Sequence, residues 1–248
     1  ESGSIYEIDE LTEKLINRKI SPDSYPEGEF LCYSEQDIAD AQREIDELTR
    51  QGLLFSHESE HKPAVYSGII KSMCLNVSHL CNLRCEYCFA DGGTYNGAAE
   101  NMSLDVARKA IDMIVSKSAN RHNLEVDFFG GEPLLNFDVV KKTVEYARSI
   151  EKAHNKNFRF TITTNAMLLN DEIIDFFNKE MYNVVVSIDG RRSVHDCVRK
   201  TASGKGSFDT AIKNALRFKQ LRKGQYYIRG TYTALNKDFS QDVLFLND

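Results

Sequence analysis

The stretch "SMCLNVSHLCNLRCEYC", residues Ser72–Cys88, joins an apolar run to three closely spaced cysteines. The opening "SMCLNVSH" predicts a buried β-strand that ends where the cysteine loop begins. The loop holds Cys81, Cys85 and Cys88 within eight positions, although the whole chain of 248 residues has only six cysteines. Such clustering is not expected by chance, so this loop is the first candidate functional site.

The order of strand, loop and helix repeats along the rest of the chain. Four further strands are predicted by "LEVDFFGG", "FRFTITTN", "NVVVSIDG" and "YYIRGTYT". Helices are predicted over 104–118, 139–153, 171–179 and 208–222, and another begins at Phe239. Five strands alternating with helices predict a parallel α/β sheet, and function in such folds lies at the C-terminal strand ends. We therefore expect "GGEP", "TTNA" and "SIDG" to meet the cysteine loop on one rim.

Residues 1–60 have a different, polar and helical pattern. Here "SIYEID" (4–9) predicts a strand, "ELTEKLINRK" (10–19) a helix and "SPDSYPEGEF" (21–30) a Pro-containing loop. A stronger helix is predicted by "SEQDIADAQREIDELTRQG", with Ser34 as its N-cap and Gly52 just past its end. The run "HESEHKPAVYSG" (57–68) has the composition of a linker. We expect an N-terminal domain over 1–60, a linker over 61–70 and an α/β domain over 71–248.

Composition narrows the possible partners and the compartment. The net charge is −6 with no long basic run, which gives no support for a nucleic-acid partner. No apolar run is long enough for a membrane span, and the acidic start is not a signal peptide. The cysteine pattern favours a reducing, cytoplasmic location. The first residue is not Met, so we expect a piece of a longer protein. The remaining cysteines, Cys32, Cys74 and Cys197, are predicted to be buried small hydrophobic residues.

Three thiolates at the spacing C-x3-C-x2-C are able to bind one metal centre, because soft sulfur ligands select iron–sulfur clusters, zinc or copper(I). A structural zinc site needs four ligands, and His79 or Cys74 is a candidate for the fourth. On a four-iron cluster, three thiolates leave one iron free to bind a substrate. The motif therefore favours a [4Fe–4S] cluster, with zinc as the alternative.

The motifs also resemble those of a known family. "CNLRCEYC" resembles the CxxxCxxC signature of radical SAM enzymes, and "FFGGEP" resembles their motif for the amino group of S-adenosylmethionine (SAM). "SIDG" followed by "RKTASGKGSF" is similar to the peptide-modifying subgroup with SPASM or Twitch extensions. More narrowly, "NLEVDFFGGEPLLNFDVVKKTVEYARS", "NKNFRFTITTNA" and "IDGRRSVHD" resemble thioether-forming maturases of six-cysteine peptides (SCIFF, ranthipeptides). The N-terminal piece resembles the leader-peptide recognition element of those enzymes.

The resemblance implies a partial (β/α)6 TIM-like barrel over 71–248, here lacking its last strand and incomplete at its C-terminus. A small α+β, winged-helix-like leader-recognition element, incomplete at its N-terminus, would occupy 1–60. Cys81, Cys85 and Cys88 would bind a [4Fe–4S] cluster, and SAM would be the second cofactor. Auxiliary Fe–S clusters are expected only from a missing C-terminal region.

The resemblance also implies roles for single residues. Gly130 and Gly131 would allow close backbone approach, and Glu132 would accept a hydrogen bond from the SAM ammonium; a plain turn is the alternative. Arg199 would clamp the SAM carboxylate, unless it is a solvated surface residue. Tyr87 is expected near the adenine of SAM, with core packing as the alternative, and Ser187 at the ribose or carboxylate of SAM. Asp189 is expected to contact SAM, with turn formation as the alternative. Thr164 and Asn165 are further candidates for SAM contacts. Ala166 stands where the family commonly has Gly, which puts ribose contacts from that loop in doubt.

The implied activity is reductive cleavage of SAM and use of the 5′-deoxyadenosyl radical on a ribosomally made, Cys-rich precursor peptide, with a thioether crosslink as product. No side chain is expected to be catalytic itself. Flavodoxin or ferredoxin is the expected reductant, and neither nucleic acid nor membrane is an expected partner. Two alternatives remain: another SPASM-type maturase, for sulfatases or quinone cofactors, and a non-catalytic module that binds an Fe–S cluster and a leader peptide.

Overall fold

The computed structural model describes residues 6–22, 27–55 and 68–247. The chain divides after residue 66 into two compact units. We call them the N-terminal unit and the barrel unit, and each is described by itself. The segments 1–5, 23–26 and 56–67 lie outside the described residues, and so do most of the predicted linker and part of the predicted Pro-containing loop.

The N-terminal unit is helical where it is described. It contains α1 (Glu10–Ile20), a short 3-10 helix (Glu27–Phe30) and α2 (Glu35–Arg50). Its buried apolar residues are Leu11, Leu15, Phe30 and Ile45. The strand predicted over 4–9 is wrong for Tyr6–Asp9, which form no strand; residues 4 and 5 lie outside the described residues. The reason is local, because the Asp9 carboxylate accepts a hydrogen bond from the Thr12 backbone and starts α1 as its N-cap.

The ends of α2 are those predicted from the sequence. The Ser34 hydroxyl accepts a hydrogen bond from the Asp37 backbone amide at 3.1 Å. Gly52 has φ +69°, and the backbone amides of Gly52 and Leu53 donate to the carbonyls of Thr49 and Leu48. This is the Schellman arrangement, in which a left-handed glycine satisfies the last helical carbonyls.

The barrel unit is built on one parallel five-stranded sheet, in which the strands lie side by side in chain order. The strands are β1 (Ser72–Ser78), β3 (Asn123–Gly130), β4 (Asn157–Thr164), β5 (Met181–Ser187) and β7 (Gln225–Arg229). The longer helices between and after them are α3 (Leu104–Lys117), α4 (Phe137–His154), α5 (Asp171–Glu180), α7 (Phe208–Leu221) and α8 (Ser240–Asn247). The predicted parallel α/β fold is therefore confirmed, with most element ends within two residues of the prediction.

The strand order follows the chain order, so every crossover moves in the same direction. Right-handed crossovers in one direction place all the helices on one side of the sheet, which then curls into a partial barrel. Buried residues of α3, α4, α5 and α7 accordingly form a single hydrophobic cluster with the strands. On β3 this cluster takes Leu124, Val126 and Phe128, so the half-buried Asp127 and Phe129 belong to the opposite face, which we call the inner face.

A small second sheet and one helix were not predicted. β2 (Leu83–Cys85) pairs antiparallel with β6 (Arg199–Thr201), and Cys85 lies directly opposite Arg199. The helix α6 (Arg192–Val198) leads into β6. Strands of three residues are too short to show periodicity, so the sequence pattern could not reveal this pairing.

The prediction that Cys32, Cys74 and Cys197 are buried is wrong, because all three are exposed. On β1, alternation sends Leu75 and Val77 into the core and leaves Cys74 on the inner face. In the described ranges, no helix combines the length and apolar character that a membrane span requires.

Candidate functional site

The predicted strand-end rim forms one cleft in the barrel unit. Eleven of the twelve predicted site residues line it: Cys81, Cys85, Tyr87, Cys88, Gly130, Gly131, Glu132, Thr164, Asn165, Ser187 and Arg199. The twelfth, Asp189, lies behind the cleft wall and contacts two of the lining side chains. Residues from four strand ends that are far apart in sequence therefore meet at a single place.

The cysteine loop presents its thiols among hydrogen-bond donors. The Leu83 backbone amide lies 3.4 Å from Cys81 Sγ, and Asn165 Nδ2 lies 3.8 Å from the same sulfur. Arg199 Nη1 lies 4.0 Å from Cys85 Sγ. Burial raises the pKa of the Cys81 thiol to about 11 and also raises that of Cys85, so a thiolate here needs a compensating cation. A metal centre supplies that charge, and the donors suit metal-bound sulfur.

The spacing of the thiols bears on the kind of metal centre. In the part of the chain that the structure describes, no three His, Cys, Asp or Glu side chains are grouped closely enough to hold a single metal ion. All ligands of a zinc ion lie within about 2.3 Å of it, which would bring the sulfurs into one tight group. In a four-iron cluster each cysteine binds a different iron. Structural zinc needs four ligands, whereas a four-iron cluster held by three thiols keeps one iron open, so the three thiols that line this cleft suit such a cluster.

Two glycines, the last residue of β3 and the one after it, let the cysteine loop pack closely against the sheet. A Cβ on Gly130 would lie 2.3 Å from the Ser78 carbonyl oxygen, and a Cβ on Gly131 would lie 2.3 Å from that of Leu80. The Gly131 and Glu132 amides donate to these same carbonyls at 2.7 and 2.8 Å. The glycines were expected to allow close approach of another backbone, and the backbone that approaches them is that of Ser78 and Leu80, where β1 leads into the cysteine loop.

Glu132 is buried, and its carboxylate joins the end of β3 to the end of β4. Its Oε1 accepts from the Thr164 hydroxyl at 2.8 Å and from the Leu134 amide at 3.1 Å, while Oε2 accepts from the Asn165 amide at 2.8 Å. Burial raises its pKa to about 7, and these three donors oppose the rise. A carboxylate has about four acceptor positions, so Glu132 retains capacity for one more donor in the cleft.

The loop after β4 contains a residue with left-handed backbone dihedrals, and that residue is alanine and not glycine. Ala166 has φ +66° and is fully buried. Left-handed backbone costs a non-glycine residue about 1–2 kcal/mol. Hydrogen bonds from the Ala166 amide to Thr164 Oγ1 and from Asn214 Nδ2 to the Ala166 carbonyl, at 3.2 and 2.9 Å, oppose that cost. Ala166 therefore does not abolish the turn, and Asn165 still lines the cleft.

Arg199 and Tyr87 are fixed by the buried Asp189. Asp189 Oδ2 accepts from Arg199 Nε at 2.9 Å and from the Tyr87 hydroxyl at 2.6 Å, and Oδ1 accepts from the Thr231 amide at 2.9 Å. Arg199 is only 7% exposed, so its interpretation as a solvated surface residue is wrong. Asp189 likewise does more than form a turn. The Nε atom is used by Asp189, which leaves the two terminal nitrogens of Arg199 beside Cys85 and the cleft.

Several lining residues were missed by the sequence analysis. Phe89 follows the last cysteine and is 76% exposed, and its ring stacks on Phe129 at 6.3 Å. Arg229 ends β7 and lies over Phe129 at 6.0 Å. An arginine at the end of the fifth strand was the available signal, because that strand ends on the same rim.

Comparison with known proteins assigns the family. The sequence profile of the radical SAM superfamily matches residues 75–238, well over half of the chain. The radical SAM cyclopropyl synthase TigE of Paramaledivibacter caminithermalis is 26% identical over 276 aligned positions, covering 99% of this chain and 54% of TigE. A cysteine-type anaerobic sulfatase-maturating enzyme of Clostridium novyi is 29% identical over 66% of this chain and 43% of its own length.

A solved structure has the same fold. The structure described as native anSMEcpe with bound AdoMet and Cp18Cys peptide superposes with a TM-score of 0.62 at 23% identity, covering 72% of this chain and 48% of that one. The chain thus spans about half the length of these relatives. With the profile match and the cysteine-lined cleft at the strand ends, the chain belongs to the radical SAM superfamily, whose members use a [4Fe–4S] cluster and S-adenosylmethionine.

Proposed function

We propose that this chain is the SAM-cleaving part of a peptide-modifying radical SAM enzyme. The observation that carries the proposal is the meeting of three thiols, a buried carboxylate and a buried guanidinium in one cleft. SAM would supply the complementary groups: an amino and a carboxylate group for the iron that the three cysteines leave open, with Glu132 and Arg199 as the partners that we propose for the charges of these groups. When bound, the cluster supplies the electron that cleaves SAM to methionine and a 5′-deoxyadenosyl radical, which takes a hydrogen atom from a peptide carbon.

The side chains have separable tasks in this proposal. Cys81, Cys85 and Cys88 hold the cluster, and Glu132 accepts a hydrogen bond from the SAM ammonium with its remaining acceptor position. Arg199 donates from its two terminal nitrogens to the SAM carboxylate, in an orientation that Asp189 fixes. Such charge-assisted, bidentate pairing is stronger and more directional than a single neutral hydrogen bond.

The remaining lining residues surround the nucleoside part of SAM. Ser187 contacts the ribose or the carboxylate, and Tyr87 packs near adenine. Thr164 and Asn165 shape the wall between them while holding Glu132. Gly130 and Gly131 have an indirect role in this proposal, because they set the distance between the cysteine loop and the sheet.

We further propose a Cys-rich precursor peptide as substrate and a thioether as product. Joining a thiol sulfur to the activated carbon releases one proton and one electron, so an electron acceptor is required; auxiliary Fe–S clusters from outside this chain would serve. Flavodoxin or ferredoxin would deliver the first electron. The alignment with TigE extends over 99% of the chain and so includes the N-terminal unit, to which we assign binding of the leader.

Sulfatase maturation is the second candidate. It is favoured by the 29% identity to the sulfatase-maturating enzyme of Clostridium novyi, although that match covers 66% of the chain. Thioether formation and sulfatase maturation change the mass of the substrate peptide by different amounts, so mass spectrometry of the modified peptide separates the two activities.

The test uses the full-length protein, reconstituted with iron and sulfide without oxygen and reduced with dithionite. Formation of 5′-deoxyadenosine from SAM is the expected result, and its absence from a cluster-loaded protein would contradict enzymatic function. Co-expression with a candidate Cys-rich precursor peptide, followed by mass spectrometry, tests the product. A thioether lowers the peptide mass by two hydrogens, whereas an unmodified peptide would refute the precursor assignment.

A further inference from the structure

A buried histidine is connected to the guanidinium that we assign to SAM. His195 of α6 is fully buried and does not line the cysteine-lined cleft. Its Nδ1 atom lies 3.4 Å from the backbone nitrogen of Asp189, and its Nε2 atom lies 3.0 Å from the hydroxyl oxygen of Ser207. Asp189 binds the side chain of Arg199, and Ser207 contacts the Arg199 main chain. His195 is therefore one contact away from both ends of the partners that hold Arg199.

The hydrogen-bond partners fix which nitrogen of His195 carries the proton. The Ser207 hydroxyl oxygen lies 2.6 Å from the Arg199 carbonyl oxygen, so it must donate its only hydrogen there, because a carbonyl oxygen only accepts. The same hydroxyl oxygen then accepts from Nε2–H of His195. Nδ1 carries no proton and accepts the backbone N–H of Asp189. The imidazole is neutral, in agreement with burial, which lowers the pKa of His195 to about 4.

These contacts close a ring of hydrogen bonds around Arg199. His195 donates to Ser207, and Ser207 donates to the Arg199 carbonyl. Arg199 Nε donates to the Asp189 carboxylate at 2.9 Å, and the Asp189 amide returns to His195. All four residues are at most 7% exposed. A buried network in which every polar group is satisfied is rigid, so this ring holds the main chain and the side chain of Arg199 together.

The Ser207 hydroxyl does not have the role that its position predicts. Ser207 immediately precedes α7, where a serine side chain commonly accepts a hydrogen bond from an amide of the first helical turn. Ser207 makes no such bond. The Asp196 carboxylate of α6 accepts from the Phe208 amide at 2.8 Å instead. Because another side chain serves the start of α7, the hydroxyl is available to Arg199, and this exchange of partners argues for a role at Arg199.

Arg199 lies in a part of the fold with few other hydrogen bonds. It begins β6, which is only three residues long and pairs with β2 in the cysteine loop. Cys85 lies opposite Arg199 in this pairing. A bidentate contact to a carboxylate needs two donors to reach two oxygens at once. A small displacement of the Arg199 main chain would therefore weaken such a contact.

We propose that His195 and Ser207 are positioning residues for SAM, since they hold the Arg199 main chain where its two terminal nitrogens meet the SAM carboxylate. The inference rests on the proposed function, in which Arg199 binds that carboxylate. His195 supplies the Nε2–H donor that orients the Ser207 hydroxyl, and the Asp189 amide selects the tautomer that has this donor. Each of the two residues acts on the affinity for SAM through Arg199.

The experiment measures SAM binding to the full-length, cluster-loaded enzyme by equilibrium dialysis, without oxygen and without a reductant, so that SAM is not cleaved. Ser207→Ala should raise the Kd for SAM about three- to tenfold, the range for one neutral hydrogen bond. Ser118→Ala is the matched control, because Ser118 is fully buried and its hydroxyl donates to the Val115 carbonyl at 2.8 Å at the end of α3. Both variants should lose comparable stability in urea unfolding and keep their iron, and only Ser207→Ala should lose affinity for SAM.

Two replacements of His195 identify the contact that matters. The side-chain amide nitrogen of glutamine reaches the position of Nε2, so His195→Gln keeps a donor for Ser207 and should retain most of the affinity for SAM. The side-chain oxygen of asparagine reaches only the position of Nδ1, so His195→Asn should weaken SAM binding about as much as Ser207→Ala does. Combining His195→Asn with Ser207→Ala should weaken binding no further, because the two residues act in series. Two independent packing defects would add instead.

The inference is overturned if Ser207→Ala binds SAM as tightly as Ser118→Ala, or if His195→Gln binds SAM no better than His195→Asn. It is also overturned if the effects of His195→Asn and Ser207→Ala add in full. Binding of SAM to the wild type is scored separately. A cluster-loaded wild type that does not bind SAM contradicts the proposed function, whereas equal affinities of the two serine variants contradict only the positioning role.

Discussion

Replacing Gly131 by Ala tests how the cysteine loop is held against the sheet. Gly131 does not have a positive φ, so the substitution adds little backbone strain and acts mainly through space. The new Cβ would lie 2.3 Å from the Leu80 carbonyl oxygen and 2.9 Å from the Cα of Gly93, so the backbone must move apart. That movement breaks the hydrogen bonds from Gly131 to Ser78 and from Glu132 to Leu80. Two lost backbone hydrogen bonds at about 1 kcal/mol each, with about 1–3 kcal/mol for overpacking, give about 3–5 kcal/mol of destabilisation.

The assay is urea unfolding followed by far-ultraviolet circular dichroism, because the chain has no tryptophan. Gly204→Ala is the control, since Gly204 has φ +78° and open space where the added methyl group would lie, so only backbone strain of about 1–2 kcal/mol is expected. Iron content after reconstitution should fall for Gly131→Ala and stay normal for Gly204→Ala. If Gly131→Ala destabilises the protein no more than Gly204→Ala, the close packing described for this turn is wrong.

Four other predictions follow from the site and its surroundings. Cys81→Ala should abolish the absorbance of the cluster and SAM cleavage. Cys197 is exposed, and the Cys197→Ala protein should keep its iron content. Equal loss of iron from both variants would mean that the set of cluster ligands is wrong. Arg199→Lys should weaken SAM binding by about 1–3 kcal/mol in a titration, with unchanged iron, because the planar fork is lost. Burial lowers the pKa of His195 from 6.5 to about 4, so the unfolded chain binds more protons than the folded chain as the pH falls below 6.5. The free energy of unfolding of the wild type, relative to that of His195→Gln, should therefore fall by about 2 kcal/mol between pH 7.5 and pH 5. If urea unfolding gives the same difference between the two proteins at both pH values, the imidazole of His195 is not buried in its neutral form. Tyr6→Pro in the full-length enzyme should weaken leader-peptide binding in fluorescence anisotropy if Tyr6 pairs with the leader through its backbone N–H, and unchanged affinity would remove Tyr6 from the leader site.

Much of the barrel unit was predictable because its signals are local and repeated. The alternation in "LEVDFFGG" and the helical period in 208–222 each identify an element by themselves. The parallel topology then places strand ends on one rim, so Cys81 and Glu132 could be expected to line the same cleft without any knowledge of side-chain contacts.

The rest depends on contacts between residues that are distant in sequence. Nothing near Arg199 in the sequence shows that its partner is Asp189 or that Cys85 lies opposite it, because β2 and β6 are only three residues long. The exposure of Cys74 follows from which face of β1 meets the helices. The link from His195 through Ser207 to the Arg199 carbonyl appears only when the positions of three separate elements are known. The strand predicted at Tyr6–Asp9 was overridden by a helix cap.

The pairing of Cys85 with Arg199 also sets the order in which the site is assembled during synthesis. The two residues are separated by 114 positions, so the β2–β6 ladder cannot form until most of the barrel unit has left the ribosome. At about 5–20 residues per second, synthesis of the intervening 114 positions takes about 6–23 s, and the cysteine loop lacks its partner strand for that time. During that interval the thiols lack the shelter of β6 and are open to oxidation or to capture of stray metal ions. Anaerobic expression with a supply of iron and sulfide therefore protects a nascent intermediate as well as the finished enzyme.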